Sequence, residues 1–344
     1  MKTIRTVLFG VGAMGSLIAR FLFQKEGVEI VGAIDAAQDK VGRTLDEVLG
    51  LKQRVEVAVS NDADATLSKT KPNIVVHATS SHLEDVYPQL ASIVKHGANV
   101  VSTCEELSYP CSSAPQLAKK LDALAKKHHA TILGTGINPG FLMDTLVITL
   151  TSVCQTIDRI QATRVIDAAT RRLPFQKKIG AGLSEREFRE AIEKKSITGH
   201  VGLEQSISMI ASALAWKLDR IEVNVVEAVI AKKAVRSEAI KVEVGESAGL
   251  RQVAKGFRGN KNVIILDFQA YIGAEEEFDS ITIAGVPCIN QKITPCVHGD
   301  VGTVAMIANS IPKVINAAPG LVSMKDLPVP SAATEDMVKY IGEF

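Results

Sequence analysis

The sequence lacks a charge excess, long apolar runs and paired cysteines. Its 39 lysines and arginines against 38 aspartates and glutamates leave no basic field for nucleic acid and no acidic tail. The apolar runs are too short for a membrane span, and a strand signal at the first residues leaves no room for a signal peptide. The five cysteines form no Cys-x-x-Cys motif and no zinc-like cluster. We therefore expect a soluble cytoplasmic protein with no bound metal and no nucleic-acid or membrane partner.

The length and the alternation of elements predict two domains. A chain of 344 residues with 46% apolar content can build two separate cores. In residues 1–141, fully apolar strand segments such as 74–78, 99–102 and 130–134 alternate with helices, which predicts a parallel sheet covered on both faces. The sequence therefore predicts an α/β fold with a Rossmann-type doubly wound domain over 1–141. A helix over 301–318 indicates that the C-terminal residues 300–344 complete this domain.

Residues 142–299 have a different pattern of predicted strands and helices. Two helical segments, at about 184–195 and 202–218, interrupt β-like segments at 155–168, 221–235, 238–244, 249–258, 262–273 and 278–293. Successive long strands without intervening helices predict an α+β domain with an open, largely antiparallel sheet. Such a sheet offers a broad surface for association, and we expect a homodimer.

A glycine-spaced turn follows the first strand. The apolar segment 7–9 runs into Gly10, Gly12 and Gly15, with Ala13 and Met14 between the last two, and a helix over 16–24 follows. In a dinucleotide-binding βαβ unit the first glycine permits the tight turn, the second admits the pyrophosphate and the third lets the helix pack closely. These residues are therefore predicted to bind a dinucleotide at the helix N-terminus.

The second strand ends on Asp35, and this residue bears on the choice of cofactor. A carboxylate here accepts hydrogen bonds from the adenosine ribose and repels a 2′-phosphate, which favours NAD over NADP. Lys40 and Arg43 lie near enough in sequence to keep NADP open. Thr79 and Ser80 follow the strand over 74–78, at the sheet edge where ligands bind, and are expected to contact the cofactor.

The strand over 99–102 leads into an acidic pair, Glu105 and Glu106. This position is where the nicotinamide ring of a bound cofactor would lie. A carboxylate there can hold an ammonium group, stabilise the cation that forms as hydride leaves an amine carbon, and activate water. Adjacent residues of an extended segment point in opposite directions, so we expect one of the two to face the ring. The alternative is that both cap the next helix. For alcohol oxidation the loop offers only Tyr109 as proton acceptor.

Three further segments carry candidate substrate-binding residues. The glycine-rich loop GTGINPGF at 134–141 places Asn138 at the predicted sheet edge, as a polar contact or as part of a plain hinge. Arg171 and Arg172 lie in a cationic loop that could bind a substrate carboxylate through a guanidinium group, or could form a solvated turn. His200 opens the helix over 202–218 and either faces the cleft or is structural.

Taken together, these motifs resemble a known family. The glycine turn at 10–15, STCEELSYP at 102–110, GTGINPGF at 134–141, RRLP at 171–174 and GHVGLE at 199–204 look like the 2,4-diaminopentanoate dehydrogenases and native amine dehydrogenases. These belong to the dihydrodipicolinate-reductase-like superfamily. The resemblance covers nearly the whole chain and implies a dimer with a Rossmann domain and an α/β dimerisation domain. It also places the catalytic carboxylate in the acidic pair, at Glu105 first and Glu106 second.

The resemblance implies NAD(P)-dependent oxidative deamination of a small diamino acid. For 2,4-diaminopentanoate the products are 2-amino-4-oxopentanoate and ammonia, a step of ornithine breakdown. Sugar dehydrogenases of similar layout carry Glu-Lys-Pro after the corresponding strand, and Glu106 here takes the place of that lysine. His128-His129 lacks the flanking residues of true dihydrodipicolinate reductases. The alternatives are a dehydrogenase of a semialdehyde, homoserine-type or other carbonyl substrate, and a non-catalytic NAD(P)H-binding sensor.

Overall fold

The computed structural model describes residues 2–342. In chain order its strands are β1 (Ile4–Phe9), β2 (Val28–Ile34), β3 (Val59–Ser60), β4 (Ile74–His77), β5 (Asn99–Ser102), β6 (Thr131–Gly134), β7 (Thr156–Asp167), β8 (Arg220–Val223), β9 (Glu227–Ile230), β10 (Val235–Arg236), β11 (Lys241–Val242), β12 (Ser247–Arg258), β13 (Lys261–Tyr271), β14 (Phe278–Val286), β15 (Ile289–Ile293) and β16 (Gly320–Val322). Its α-helices are α1 (Ala13–Leu22), α2 (Leu45–Leu49), α3 (Ala63–Thr70), α4 (Leu83–Lys95), α5 (Pro110–Ser113), α6 (Pro115–Lys127), α7 (Thr145–Thr151), α8 (Leu173–Lys178), α9 (Glu185–Glu193), α10 (Leu203–Ala213) and α11 (Gly299–Asn316). Short 3₁₀ helices span Glu105–Ser108, Ala168–Thr170 and Met337–Tyr340. Within the described range, no helix combines the length and the apolar character that crossing a membrane requires.

The chain divides into two compact units, one formed by the residues up to Phe141 with those from Gly299 onward, the other by Leu142–His298. The first unit holds a seven-stranded sheet in the order β3-β2-β1-β4-β5-β6-β16. All its strand pairs are parallel. The order 3-2-1-4-5-6 is that of dinucleotide-binding doubly wound sheets, and β16 extends it with a strand from the C-terminal segment. The predicted Rossmann-type fold is confirmed.

Apolar periodicity explains the helices of the first unit. Helix α4 buries Leu83, Val86, Leu90 and Ile93, a spacing of three and four residues that forms one face. This face joins a core with strand residues such as Val75. Each such side chain contributes about 1.5–3 kcal/mol on burial. Because strands β4 and β5 are covered on both faces, they read as continuous apolar runs ending at the carboxyl edge of the sheet.

The second unit holds a mixed, mostly antiparallel sheet in the order β15-β14-β7-β13-β12-β8, with β9 also paired to β12. Only β7 and β13, among the described strand pairs, run parallel in it. The predicted α+β character of this region is therefore confirmed. A buried ion pair, 2.6 Å long, joins Arg164 of β7 to Asp279 of the neighbouring strand β14.

The structure corrects the predicted strand lengths in this unit. The segment predicted over 221–235 is β8, β9 and the short β10, because β8 and β9 pair with separate stretches of β12. The segment over 278–293 is β14 and β15, separated by Pro287, which lacks the backbone N–H that a continuing ladder needs. The helix predicted to reach 218 ends at Ala213.

Candidate active site

The glycine turn has three geometrically different glycines. Gly10 has a φ of +95°, and a Cβ there would overlap the carbonyl oxygen of Ala78. A Cβ at Gly15 would overlap the carbonyl oxygen of Gly10, since α1 packs closely on the turn. A Cβ at Gly12 would meet nothing within 4 Å. The turn is therefore tight at its first and third glycines and open at its second, which is the N-cap of α1 and carries no side-chain cap.

A cavity of about 330 Å³ opens at the carboxyl edge of the parallel sheet, beside the glycine turn. It is lined by Gly12, Ala13, Met14, Ala78, Thr79, Ser80, Ser81, Thr103, Glu105, Thr135, Gly136, Asn138, Pro139 and Thr303. All these residues belong to the first unit. The cavity thus brings Ala13, Met14, Thr79, Ser80, Glu105 and Asn138 together. Glu105 is the only titratable side chain among the described lining residues.

The two adjacent glutamates have different environments. Glu105 lines the cavity. Glu106 turns to the start of α4, where its carboxylate accepts hydrogen bonds from the backbone of Leu83 at 2.7 Å and from Nδ1 of His82 at 2.9 Å. This hydrogen bond to Glu106 raises the pKa of His82. The pair lies on a 3₁₀ turn and not on an extended segment, so the predicted alternation of side chains does not apply. Of the two carboxylates, only that of Glu105 is among the described residues that line the cavity.

Asp35 lies at the end of β2 with its carboxylate oriented by three donors. It accepts hydrogen bonds from the backbone of Val11 at 2.8 Å, from Ala37 at 2.9 Å and from Nζ of Lys40 at 3.1 Å. Burial acts to raise the pKa of Asp35, but the donors outweigh it and the pKa lies below the ordinary value. Arg43 bonds instead to the carbonyls of Asp39 and Glu47. Of the two nearby cations, Lys40 is thus the one in contact with the carboxylate.

The loop after β6 supplies part of the cavity wall through Thr135, Gly136, Asn138 and Pro139. A Cβ at Gly140 would overlap the backbone of Gly136, so the loop folds tightly on itself. The buried hydroxyl of Thr135 has no hydrogen-bond partner among the described residues. Thr303 of α11 also lines the cavity and accepts a hydrogen bond from the backbone of Ile137 at 3.3 Å. Sequence reasoning did not single out Thr135 or Thr303, although the loop that contains Thr135 and the helix that contains Thr303 were both predicted.

These residues fit a nicotinamide dinucleotide. The open face at Gly12 leaves room for a pyrophosphate against the backbone at the start of α1. Asp35 stands at the end of the second strand, where such sites hold the adenosine ribose. The hydroxyl of Thr135, for which the described part of the chain offers no partner, supplies a polar atom in the wall of the same cavity.

The remaining predicted residues belong to the second unit. Arg171 and Arg172 line a cavity of about 890 Å³ together with Arg236. The guanidinium of Arg171 lies over the ring of Phe175, 5.1 Å from its centroid. His200 is not in this cavity: its ring stacks on Phe268 at 4.5 Å.

The fold and the cavity are those of a protein that binds a dinucleotide at the carboxyl edge of a doubly wound sheet. The model of the 2,4-diaminopentanoate dehydrogenase C-terminal domain matches residues 141–343, and that of the dihydrodipicolinate reductase N-terminus matches 4–107. The chain is 33% identical to a 2,4-diaminopentanoate dehydrogenase of Acetoanaerobium sticklandii, over 100% of this chain and 98% of the relative. An amine dehydrogenase of Streptomyces virginiae is 27% identical over 63% of this chain and 61% of its own length.

A solved structure is similar over nearly the full length. The amine dehydrogenase from Mycobacterium smegmatis superposes with a TM-score of 0.82 and 30% identity, covering 96% of this chain and 98% of that one. The chain belongs to the 2,4-diaminopentanoate dehydrogenase family. It is therefore an oxidoreductase that acts on CH–NH₂ donors, and the alternatives of a carbonyl-specific dehydrogenase and a sensor are set aside.

Proposed function

We propose that the protein catalyses NAD-dependent oxidative deamination of 2,4-diaminopentanoate at C4, giving 2-amino-4-oxopentanoate and ammonia. The observation that carries the chemistry is Glu105, the one titratable side chain among the described residues that line a cavity beside the glycine turn. The substrate is supported by the full-length similarity to the Acetoanaerobium sticklandii relative. A homodimer and a cytoplasmic location stay predictions.

The reaction needs a group that stabilises positive charge at the amine nitrogen. The substrate ammonium first releases one proton to solvent, and a bound nicotinamide would then accept the hydride of the amine carbon, which leaves an iminium. Water would add to the iminium carbon, and the products would be the ketone and an ammonium ion. Glu105 would hold the substrate amino group, balance the positive charge of the iminium as it forms, and take a proton from the attacking water, which is passed on to the departing ammonia. No lysine, histidine or tyrosine occurs among the described lining residues, so the proton acceptors usual in alcohol oxidation are missing from this wall.

The proposed preference for NAD rests on Asp35. Its ionised carboxylate would accept hydrogen bonds from the ribose hydroxyls, whereas a 2′-phosphate would meet like charge. Lys40 is engaged by this carboxylate and Arg43 by backbone carbonyls, so neither cation is set aside for a phosphate. Thr79 and Ser80 are proposed to contact the same cofactor from the end of β4.

The substrate carboxylate is proposed to bind Arg171 or Arg172. A guanidinium group binds a carboxylate through two parallel hydrogen bonds, which an ammonium group cannot do. The aromatic contact with Phe175 gives the Arg171 side chain a defined orientation. Asn138 and His200 stay predictions as additional substrate contacts.

An amine panel tests the proposal. Purified protein with NAD or NADP is given 2,4-diaminopentanoate, ornithine, alanine or a secondary-carbon amine without a carboxylate, and formation of reduced cofactor is followed by absorbance. We expect turnover with 2,4-diaminopentanoate far above the others and a preference for NAD. Equal or better turnover of the amine without a carboxylate would keep the chemistry and refute the substrate. No turnover of any amine by protein that binds NADH would refute the proposed reaction.

A further inference from the structure

A buried histidine without a role in the proposed chemistry lies beneath the cavity. His77 is the last residue of β4, with a relative exposure of 0%. Its Nδ1 lies 2.8 Å from the hydroxyl of Ser102, at the end of the neighbouring strand β5. Its Nε2 lies 2.7 Å from Oε1 of Gln89 and 3.0 Å from the hydroxyl of Thr79. Both ring nitrogens are therefore engaged, on opposite sides of the ring.

The ring is neutral, and its partners select one tautomer. Burial lowers the pKa of His77 to about 4, so the ring carries no charge near neutral pH. Oε1 of Gln89 accepts from the hydroxyl of Thr79 at 2.7 Å and cannot donate, so Nε2 of His77 carries the proton. Nδ1 is then the acceptor for the hydroxyl of Ser102.

Each side of the ring leads to a different wall of the cavity. On one side, His77 and Gln89 fix the hydroxyl of Thr79, which lines the cavity. On the other side, the oxygen of Ser102 accepts a hydrogen bond from the backbone of Cys104 at 3.1 Å, and Cys104 precedes Glu105. A rigid aromatic ring thus joins the segment after β4 to the segment after β5.

We propose that His77 is a positioning residue that holds Thr79 against the cofactor and, through Ser102 and Cys104, holds Glu105 against the substrate. The inference rests on the proposed function, since it assigns the two walls to cofactor and amine. It predicts that the Thr79 side of the ring affects the Kd for NADH and that the Ser102 side affects kcat for the amine. A merely structural histidine would affect stability alone.

Two conservative variants separate the sides. His77→Asn places an amide near the position of Nδ1 and keeps a partner for Ser102, whereas His77→Gln reaches the position of Nε2 and keeps partners for Gln89 and Thr79. For His77→Asn we expect the Kd for NADH, measured by fluorescence titration, to rise about tenfold, with a smaller effect on kcat. For His77→Gln we expect kcat for the amine to fall about tenfold, with a smaller effect on the Kd.

Thr131→Val is the matched control. Thr131 is buried at the opposite edge of the same sheet, and its hydroxyl donates to the carbonyl of Ala318 at 3.1 Å. This variant should lower Tm while leaving kcat and the Kd for NADH unchanged. The proposal is overturned if both His77 variants lower Tm without changing kcat or the Kd for NADH. It is also overturned if both variants lose kcat and NADH affinity equally.

Two further arms keep the test decisive. If a His77 variant does not fold, each side of the ring can be tested at its partner instead. Thr79→Val removes the hydroxyl beside Nε2 and should raise the Kd for NADH, whereas Ser102→Ala removes the hydroxyl beside Nδ1 and should lower kcat. The NADH titration needs no amine, so it still tests the Thr79 side if the proposed substrate proves wrong. A wild-type protein that binds no NADH would overturn both proposals.

Discussion

Replacing Gly12 by alanine should separate cofactor binding from folding. The added methyl group meets nothing within 4 Å in the folded chain, so its cost to folding is the poorer N-cap, about 0.5–1 kcal/mol. The methyl group would, however, occupy the face where a pyrophosphate approaches the backbone. Losing one charge-assisted hydrogen bond there costs about 1.5–3 kcal/mol, which raises the Kd for NADH roughly 10- to 150-fold.

Gly15→Ala is the matched control for this prediction. Its methyl group would overlap the backbone oxygen of Gly10, which must move, at a cost of about 1–3 kcal/mol or more. At about 2–4 °C per kcal/mol for a unit of this size, Gly15→Ala should lower Tm by several degrees, and clearly more than Gly12→Ala. Thermal unfolding and NADH fluorescence titration on the same preparations decide the matter. A Gly12→Ala variant that binds NADH like the wild type would refute the reasoning.

Three other predictions follow from the charged and titratable groups. Because the pKa of His77 is about 4 when folded and 6.5 ordinarily, the unfolded chain binds an additional proton between these values, so the free energy of unfolding should fall by about 3 kcal/mol as pH drops from 6.5 to 4. Urea unfolding at a series of pH values checks this, and an equal pH dependence in His77→Gln would contradict it. Asp35→Ser removes the charge that opposes a 2′-phosphate and releases Lys40, so the ratio of kcat/KM for NAD to that for NADP should fall about tenfold; an unchanged ratio would refute the role of Asp35. Arg164→Met leaves Asp279 buried without its partner and should lower the free energy of unfolding by about 3–5 kcal/mol. Urea unfolding at neutral pH measures this change, and an unchanged free energy of unfolding would contradict it.

Local patterns in the sequence predicted the first unit well. The apolar runs of β4 and β5, the glycine turn and Asp35 are each specified within a few residues, since their geometry depends on backbone conformation and burial. The acidic pair was predicted at the correct sheet edge for the same reason. Which carboxylate lines the cavity depends on the 3₁₀ turn and on the hydrogen bond from the backbone of Leu83, at the start of α4, to Glu106. The periodicity of the sequence does not predict that hydrogen bond.

Contacts distant in sequence were not predictable. Thr303 reaches the loop after β6 from α11, about 166 positions away, and nothing in the spacing of that helix marks this residue. The hydrogen bonds of His77 to Gln89 and Ser102 likewise join residues 12 and 25 positions apart, and a histidine at the end of an apolar strand gives no sign of either partner. In the second unit, strand lengths depended on how β8 and β9 share the edge of β12, which is a property of pairing rather than of either segment.

The most direct test of the account compares Glu105→Gln with Glu106→Gln. Reduced-cofactor formation is measured with 2,4-diaminopentanoate and NAD, together with the Kd for NADH and Tm of each variant. Since Glu105 is assigned to the amine, Glu105→Gln should lose turnover by about a hundredfold or more while keeping Tm and NADH affinity. Since Glu106 caps α4, Glu106→Gln should lower Tm and keep most of its turnover per folded molecule. Full turnover by Glu105→Gln, or its loss in Glu106→Gln alone, would contradict the central claim that Glu105 carries the chemistry.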